Sequence, residues 1–350
     1  MNSGPDFIET RAQKRTNMKY RHLGNSGLEV SVIGLGTSNF GRSMDFEAAR
    51  EVIFTALDQG INLFDTANFY SHGISEEYIG QALIDRREEA VIATKFGLPM
   101  EDGPNGKGGS RKHIISAIEG SLRRLRTDYI DLYQIHTQDT DTPIDETLRA
   151  LDDLVRAGKV RYIGLSNFEA WRISDAMWTS RLNGYASFIS SQPEYSMLER
   201  RIERDVLPVC ENFGIGTIPY FPLAQGFLTG KYKRGAGVPD NTRLAITPHA
   251  QPIRLTDDNF DIVEQLEVWV EKRGHSLVEL AFAWILARKS VGSVIAGAST
   301  PAQILQNAAA AEWELTDEEM EELAQILGEV EPSLSTQPPS QPPRTDPSPQ

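Results

Sequence analysis

Short apolar runs alternate with longer amphipathic stretches along most of the chain. Asn62-Leu63-Phe64, Val91-Ile92-Ala93, Ile130 to Ile135 and Val160 to Leu165 read as buried strands, being short and rich in β-branched and aliphatic residues. Phe188-Ile189, Ile215 to Ile218 and Ser293 to Ala296 read the same way. Between them, Ile114, Ile118, Leu122 and Leu125 recur at helical spacing, as do Leu148, Leu151 and Val155. Ser110 and Asp145 are placed to cap these helices. Ser75 followed by Glu76 and Glu77 reads as a cap with acids suited to a positive helix N-terminus.

Strand–helix alternation implies parallel pairing through right-handed crossovers. With Gly34-Leu35-Gly36 as the first strand there are eight βα units, which predict an α/β fold: an eightfold parallel β/α barrel. A β-hairpin over 18–32, turning at Gly24-Asn25-Ser26-Gly27, precedes the barrel, and a helix ends it. The main irregular insertion, 223–258, is rich in Gly, Pro, Thr and Arg; loops of that length are usually functional or mobile.

Composition sets the boundaries. Apolar residues make up 40% and charged residues 24% of the 350, as in an ordinary globular chain. The last twenty residues hold seven prolines and almost nothing apolar, so 331–350 reads as a disordered tail and 1–17 as a flexible arm. The folded domain is then 18–330. Acidic residues number 49 against 35 basic, a net charge of −14, which argues against binding nucleic acid or an anionic membrane. No apolar run is long enough to span a bilayer, and the N-terminus lacks the apolar core of a secretory signal, so cytoplasmic residence is expected. Cys210 is the only cysteine, which excludes an intrachain disulfide and a thiolate metal cluster. Beside Val206, Val209 and Phe213 it reads as a packing residue. The six histidines show no metal-ligand spacing, and no metal is expected.

In a β/α barrel, chemistry sits where strands end. The second strand ends in Asp65-Thr66-Ala67-Asn68-Phe69-Tyr70, the third in Thr94-Lys95 and the fourth in Gln134-Ile135-His136. An apolar strand ending in lysine is unusual, because a buried unpaired ammonium costs several kcal/mol. Asp65 is its natural partner. A buried lysine beside a phenol is expected to lower the Tyr70 pKa from about 10 and suit it to donate a proton to a carbonyl oxygen. His136 is placed to orient that carbonyl. Gly34-Leu35-Gly36 does not complete a G-x-G-x-x-G fingerprint, because Asn39 holds the third position, so a dinucleotide would bind without a Rossmann fold.

At these residues the chain resembles the aldo-keto reductase superfamily, near its bacterial-type and potassium-channel β-subunit-like branches. The matching segments are Leu63 to Tyr70, Ala93-Thr94-Lys95, Asp128 to His136, Gly158 to Phe168, Tyr220 to Lys231 and Ile295 to Ser299. The resemblance implies reduction of an aldehyde or ketone by NADPH, with NADH as a second cofactor. It implies Tyr70 as general acid, tuned by Asp65 and Lys95, with His136 aligning the carbonyl. Ser166, Asn167 and Gln192 would hold the nicotinamide carboxamide, and Tyr220 would stack on the ring. Pro222, Leu223, Gly226 and Lys231 would cover the pyrophosphate. Gly297, Ser299, Thr300, Gln303, Gln306 and Asn307 would surround the adenosine end. Family members usually carry a Lys or Arg among positions 297, 299 and 303; here they are Gly, Ser and Gln, so the preference for NADPH is expected to be modest. The implied partner is a small carbonyl substrate, and homo-oligomerisation is open. Because channel β subunits also resemble this superfamily, a cofactor-binding accessory subunit is the alternative reading. A hydrolase on the same barrel would want paired carboxylates or metal ligands at strand ends, and neither is seen.

Overall fold

The chain enters through an antiparallel hairpin, β1 (Tyr20–His22) and β2 (Glu29–Ser31). The structure, a computed structural model, describes residues 17–240 and 242–330. The expected tail over 331–350, and all but the last residue of the expected arm, lie outside the described residues. Eight parallel strands follow the hairpin: β3 (Ile33–Gly36), β4 (Leu63–Asp65), β5 (Val91–Phe96), β6 (Ile130–Ile135), β7 (Val160–Ser166), β8 (Phe188–Gln192), β9 (Gly216–Thr217) and β10 (Val294–Gly297). They pair in the order β10-β3-β4-β5-β6-β7-β8-β9. The remaining seam closes through parallel bridges Thr217–Val291 and Tyr220–Ile295. This is the expected eightfold β/α barrel.

Helices cover the outside: α1 (Phe46–Asp58), α2 (Ile74–Ala82), α3 (Arg111–Leu125), α4 (Ile144–Arg156), α5 (Ala170–Asn183) and α6 (Val206–Phe213) each follow a strand. After β9 come α7 (Arg243–Ile246), α8 (Gln251–Arg254), α9 (Asp257–Glu271) and α10 (Leu277–Leu286); after β10 come α11 (Pro301–Ala310) and α12 (Asp317–Leu327). Among the described residues no helix is long and apolar enough to cross a membrane.

Side chains alternate across the strands, as a pleated backbone requires. Phe64, Ile92 and Tyr133 point outward into the large core shared with the helices. Leu63, Ala93, Leu132, Ile218 and Ile295 form a second cluster with Leu23 and Val30. That smaller cluster fills the barrel, and the hairpin residues plug one end of it. Chemistry is left to the other end.

Two capping expectations need correction. Ser110 does cap α3, accepting from His113 N at 3.3 Å. Helix α4, however, is preceded by Pro143, and Asp145 lies in its first turn beside Glu146. Helix α2 starts after Gly73, whose φ of 95° suits only glycine. Ser75 is inside it and fully buried, bonded to Thr37 and Thr66 hydroxyls at 2.8 and 2.9 Å. Glu76, expected as a first-turn acid, is in that turn but fully buried.

Candidate active site

Strand ends β4 and β5 bring Asp65 and Lys95 together. Lys95 is fully buried and its Nζ donates to Asp65 Oδ1 at 2.7 Å and to Thr66 O at 2.9 Å. The pairing meets the requirement that a buried ammonium find an anion. The Tyr70 hydroxyl lies 3.4 Å from the same Nζ, a long contact. Tyr70 opens a tight turn over Tyr70–Gly73 in which Ser71 and His72 both hold left-handed backbone, φ 50° and 52°. His72 itself is exposed.

The electrostatics correct one expectation. Burial raises the Tyr70 pKa above its ordinary 10, and the Lys95 charge lowers it by less. Desolvation of the phenolate outweighs one ammonium at 3.4 Å. At Lys95 burial is the largest influence and lowers the pKa, but Asp65 and Tyr70 together raise it by more, so the lysine stays charged. Burial, then the Lys95 charge, push His136 down to about 3, so its imidazole is neutral across the physiological range. The Tyr70 and His136 rings meet edge to face at 5.8 Å. His136 Nδ1 is buried without a partner.

The residues expected at the nicotinamide are linked to this cluster. Gln192 Nε2 donates to Asp65 Oδ1 at 2.7 Å, so Gln192 also serves the Asp65–Lys95 pair. Ser166 Oγ donates to Gln192 O at 2.7 Å. Asn167, at φ 58°, donates to His136 O and Ser166 Oγ, both at 3.0 Å. Tyr220 donates its hydroxyl to Asn167 Oδ1 at 2.9 Å.

Further out, Pro222 and Leu223 lead into the turn Ala224–Thr229, where Ala224, Gln225 and Gly226 all have positive φ. A Cβ on Gly226 would fall 2.9 Å from Lys231 Nζ, so the lysine folds over that turn. At the last strand, a Cβ on Gly297 would meet only Gly36 O, at 3.8 Å. Thr300 caps α11, and Ser299 N donates to Gln303 Oε1 at 2.7 Å. Ser299, Thr300, Gln303 and Gln306 are exposed, whereas Asn307 is buried. Among the aromatic residues that follow β3, β4 and β7, Phe40 is wholly inside the core, while Phe69 and Trp171 are exposed.

Sequence reasoning missed two arginines in the insertion. Arg243 is pushed down to about 10 by burial and by the Arg42 charge. Its Nε is buried without a partner, and its guanidinium lies 5.6 Å from the Phe221 ring centre. Among the described residues neither Arg42 nor Arg243 has an ion-pair partner. Arg254 of α8 is buried, donates to Gln225 Oε1 at 3.2 Å and pairs with Glu194. It straps the insertion across the rim. The Arg enrichment of 223–258 was visible; which arginines turned inward was not.

An eightfold barrel with this strand-end cluster defines a class, and the comparisons agree. The family model described as aldo/keto reductase family matches residues 32–327. The chain belongs to the aldo/keto reductase family, oxidoreductases of carbonyl compounds. It is 39% identical over 299 residues to a "Probable voltage-gated potassium channel subunit beta" of Arabidopsis thaliana, covering 83% of this chain and 90% of that protein. It is 36% identical over 321 residues to the "L-glyceraldehyde 3-phosphate reductase" of Escherichia coli O157:H7, covering 88% and 91%. It is 34% identical over 332 residues to the "Versiconal hemiacetal acetate reductase" of Aspergillus parasiticus, covering 87% and 96%.

Proposed function

We propose that the chain reduces an aldehyde or ketone to an alcohol using NADPH, with NADH a poorer cofactor. The observation that carries this reading is the buried Asp65–Lys95 pair in contact with Tyr70, beside a neutral His136. The bound nicotinamide supplies the hydride. Tyr70 remains protonated through neutral pH and gives its proton to the carbonyl oxygen; Lys95 stabilises the phenolate left behind. Asp65 and Gln192 hold Lys95 in place. His136, neutral, donates a hydrogen bond to the carbonyl oxygen and fixes its approach.

The residues fit a phosphorylated dinucleotide. Ser166, Asn167 and Tyr220 present polar edges beside Tyr70. Lys231, folded over the 224–226 turn, offers a cation for a pyrophosphate. Arg243, with its unpartnered buried Nε, adds a second cation. At Ser299 and Thr300 only hydroxyls and the α11 N-terminus face a 2′-phosphate, which supports a modest NADPH preference. The complete quartet favours an enzyme over the accessory-subunit alternative.

The test is a fluorescence titration with NADPH and NADH, followed by NADPH oxidation with a panel of aldehydes. Tight NADPH binding with turnover of at least one aldehyde is expected. Binding with no turnover of any carbonyl would favour the accessory role.

A further inference from the structure

The most deeply buried acid that the chemistry above leaves unused is Glu76. It is fully buried on α2, six residues after Tyr70. Its Oε1 accepts from the equally buried Thr94 hydroxyl at 2.5 Å, and Thr94 is the neighbour of Lys95 on β5. Its Oε2 accepts from Arg124 Nε of α3 at 2.7 Å. One carboxylate therefore ties the helix that follows Tyr70 to the strand that carries Lys95 and to the next helix.

The segment it anchors is strained. Ser71, His72 and Gly73 are three consecutive left-handed residues, and two of them carry side chains. Such a turn persists only when its surroundings over-determine it. Two further contacts do this. Ser71 Oγ donates to Phe40 O at 2.8 Å. The Arg124 side chain lies so close under Gly73 that a Cβ there would fall 2.6 Å from its Cδ. Arg124 is thus held by Glu76 on one side and supports the turn on the other. A relaxed turn would carry the Tyr70 hydroxyl away from Lys95, and that contact is already long at 3.4 Å.

We propose that Glu76, through Thr94 and Arg124, is a positioning residue for Tyr70: it holds the strained 71–73 turn so that the phenol faces Lys95. This rests on Tyr70 being the proton donor, and the experiment separates the two ideas.

The protein is labelled with 3-fluorotyrosine, and the resonance lost in Tyr70→Phe is assigned to Tyr70. Glu76→Gln keeps shape and an acceptor for Thr94 but removes the charge facing Arg124. Thr94→Val removes the other grip and covers the case that Glu76→Gln does not fold. Leu323→Ala, a buried change on α12 remote from the turn, is the control for general loss of stability. NADPH-dependent reduction of 4-nitrobenzaldehyde is measured alongside. Both site variants should shift or split the Tyr70 resonance. They should lower kcat by about 10- to 100-fold with KM for the aldehyde and Kd for NADPH within about twofold, since small misplacements of a reacting group have effects of this size. The alkaline limb of the kcat profile should move, because the phenol then faces Lys95, Asp65, His136 and Arg243 differently. Leu323→Ala should do none of this at an equal loss of melting temperature. An unmoved resonance, or a moved resonance with unchanged kcat, overturns the proposal. A wild type inactive on every carbonyl whose resonance still moves in Glu76→Gln refutes the proton-donor reading and leaves the positioning of the turn standing.

Discussion

Removing the Lys95 charge leaves Asp65 with Gln192 as its remaining buried donor and deprives the Tyr70 phenolate of its stabilising cation. Burial and the Asp65 charge then hold the phenol pKa further above 10 than before, opposed by Arg243. Lys95→Met is expected to lower kcat by roughly 10²- to 10⁴-fold, the usual contribution of general acid catalysis. In the wild type the donor must be protonated, so the rate should stay flat through neutral pH and fall only above the ordinary phenol range. A kcat profile from pH 6 upward checks both. His136 gives a second pH effect. Its pKa is about 3 folded and 6.5 unfolded, so between these values the unfolded chain binds the extra proton. Stability is therefore full above pH 6.5 and is lost as pH falls towards 3, on the order of a few kcal/mol. His136→Gln should flatten that limb in denaturant titrations at pH 7, 5.5 and 4. The Asp65–Lys95 pair was legible in the sequence because a lysine ending an apolar strand needs an anion. The direction of the Tyr70 shift was not, because it depends on how deeply the phenol is buried.

At the scale of elements, the strands were legible where apolar residues framed both ends, as at Ile130–Ile135, and were short-measured where polar residues ended them. Lys95-Phe96 extends β5, and Ser190-Ser191-Gln192 extends β8, because site residues sit on the last strand positions. Ser75-Glu76-Glu77 misled because a cap and an interior anchor share one composition; only the φ of 95° at Gly73 shows where α2 begins. The α11 N-terminus carries the prediction on cofactor choice. Neutral donors discriminate a 2′-phosphate less than a charged fork does. NADPH should be preferred over NADH by about 1–3 kcal/mol, roughly 5- to 150-fold in kcat/KM. Ser299→Arg should widen the ratio; measuring both cofactors in both proteins decides it. The strap offers another. Arg254→Leu leaves the half-buried Glu194 without its paired cation, so the insertion should loosen. NADPH should then dissociate faster in stopped-flow displacement.

For the molecule as a whole, the barrel followed from counting strand–helix units, but its contents did not: a filled interior with a hairpin plug needs the register of every strand. The domain is proposed to end with α12, which docks through Leu323 and Leu327. Arg200 also donates to Gly328 O at 2.9 Å. Truncation at Val330 keeps all of these contacts, and the proline-rich composition of 331–350 offers little surface to bury. The melting temperature should stay within about 1 °C, since a shift of several degrees corresponds to about 1 kcal/mol. The closed barrel brings Asp65, Tyr70, Lys95 and His136 from three successive strand ends to one rim, with Tyr70 the proposed proton donor. The most direct measurement of that role is single-turnover reduction of 4-nitrobenzaldehyde by wild type and Tyr70→Phe, both saturated with NADPH as judged by nicotinamide fluorescence. Tyr70→Phe should bind NADPH with Kd within about twofold of wild type and reduce the aldehyde at least about 10²-fold more slowly. Turnover close to that of the wild type would contradict the role of Tyr70.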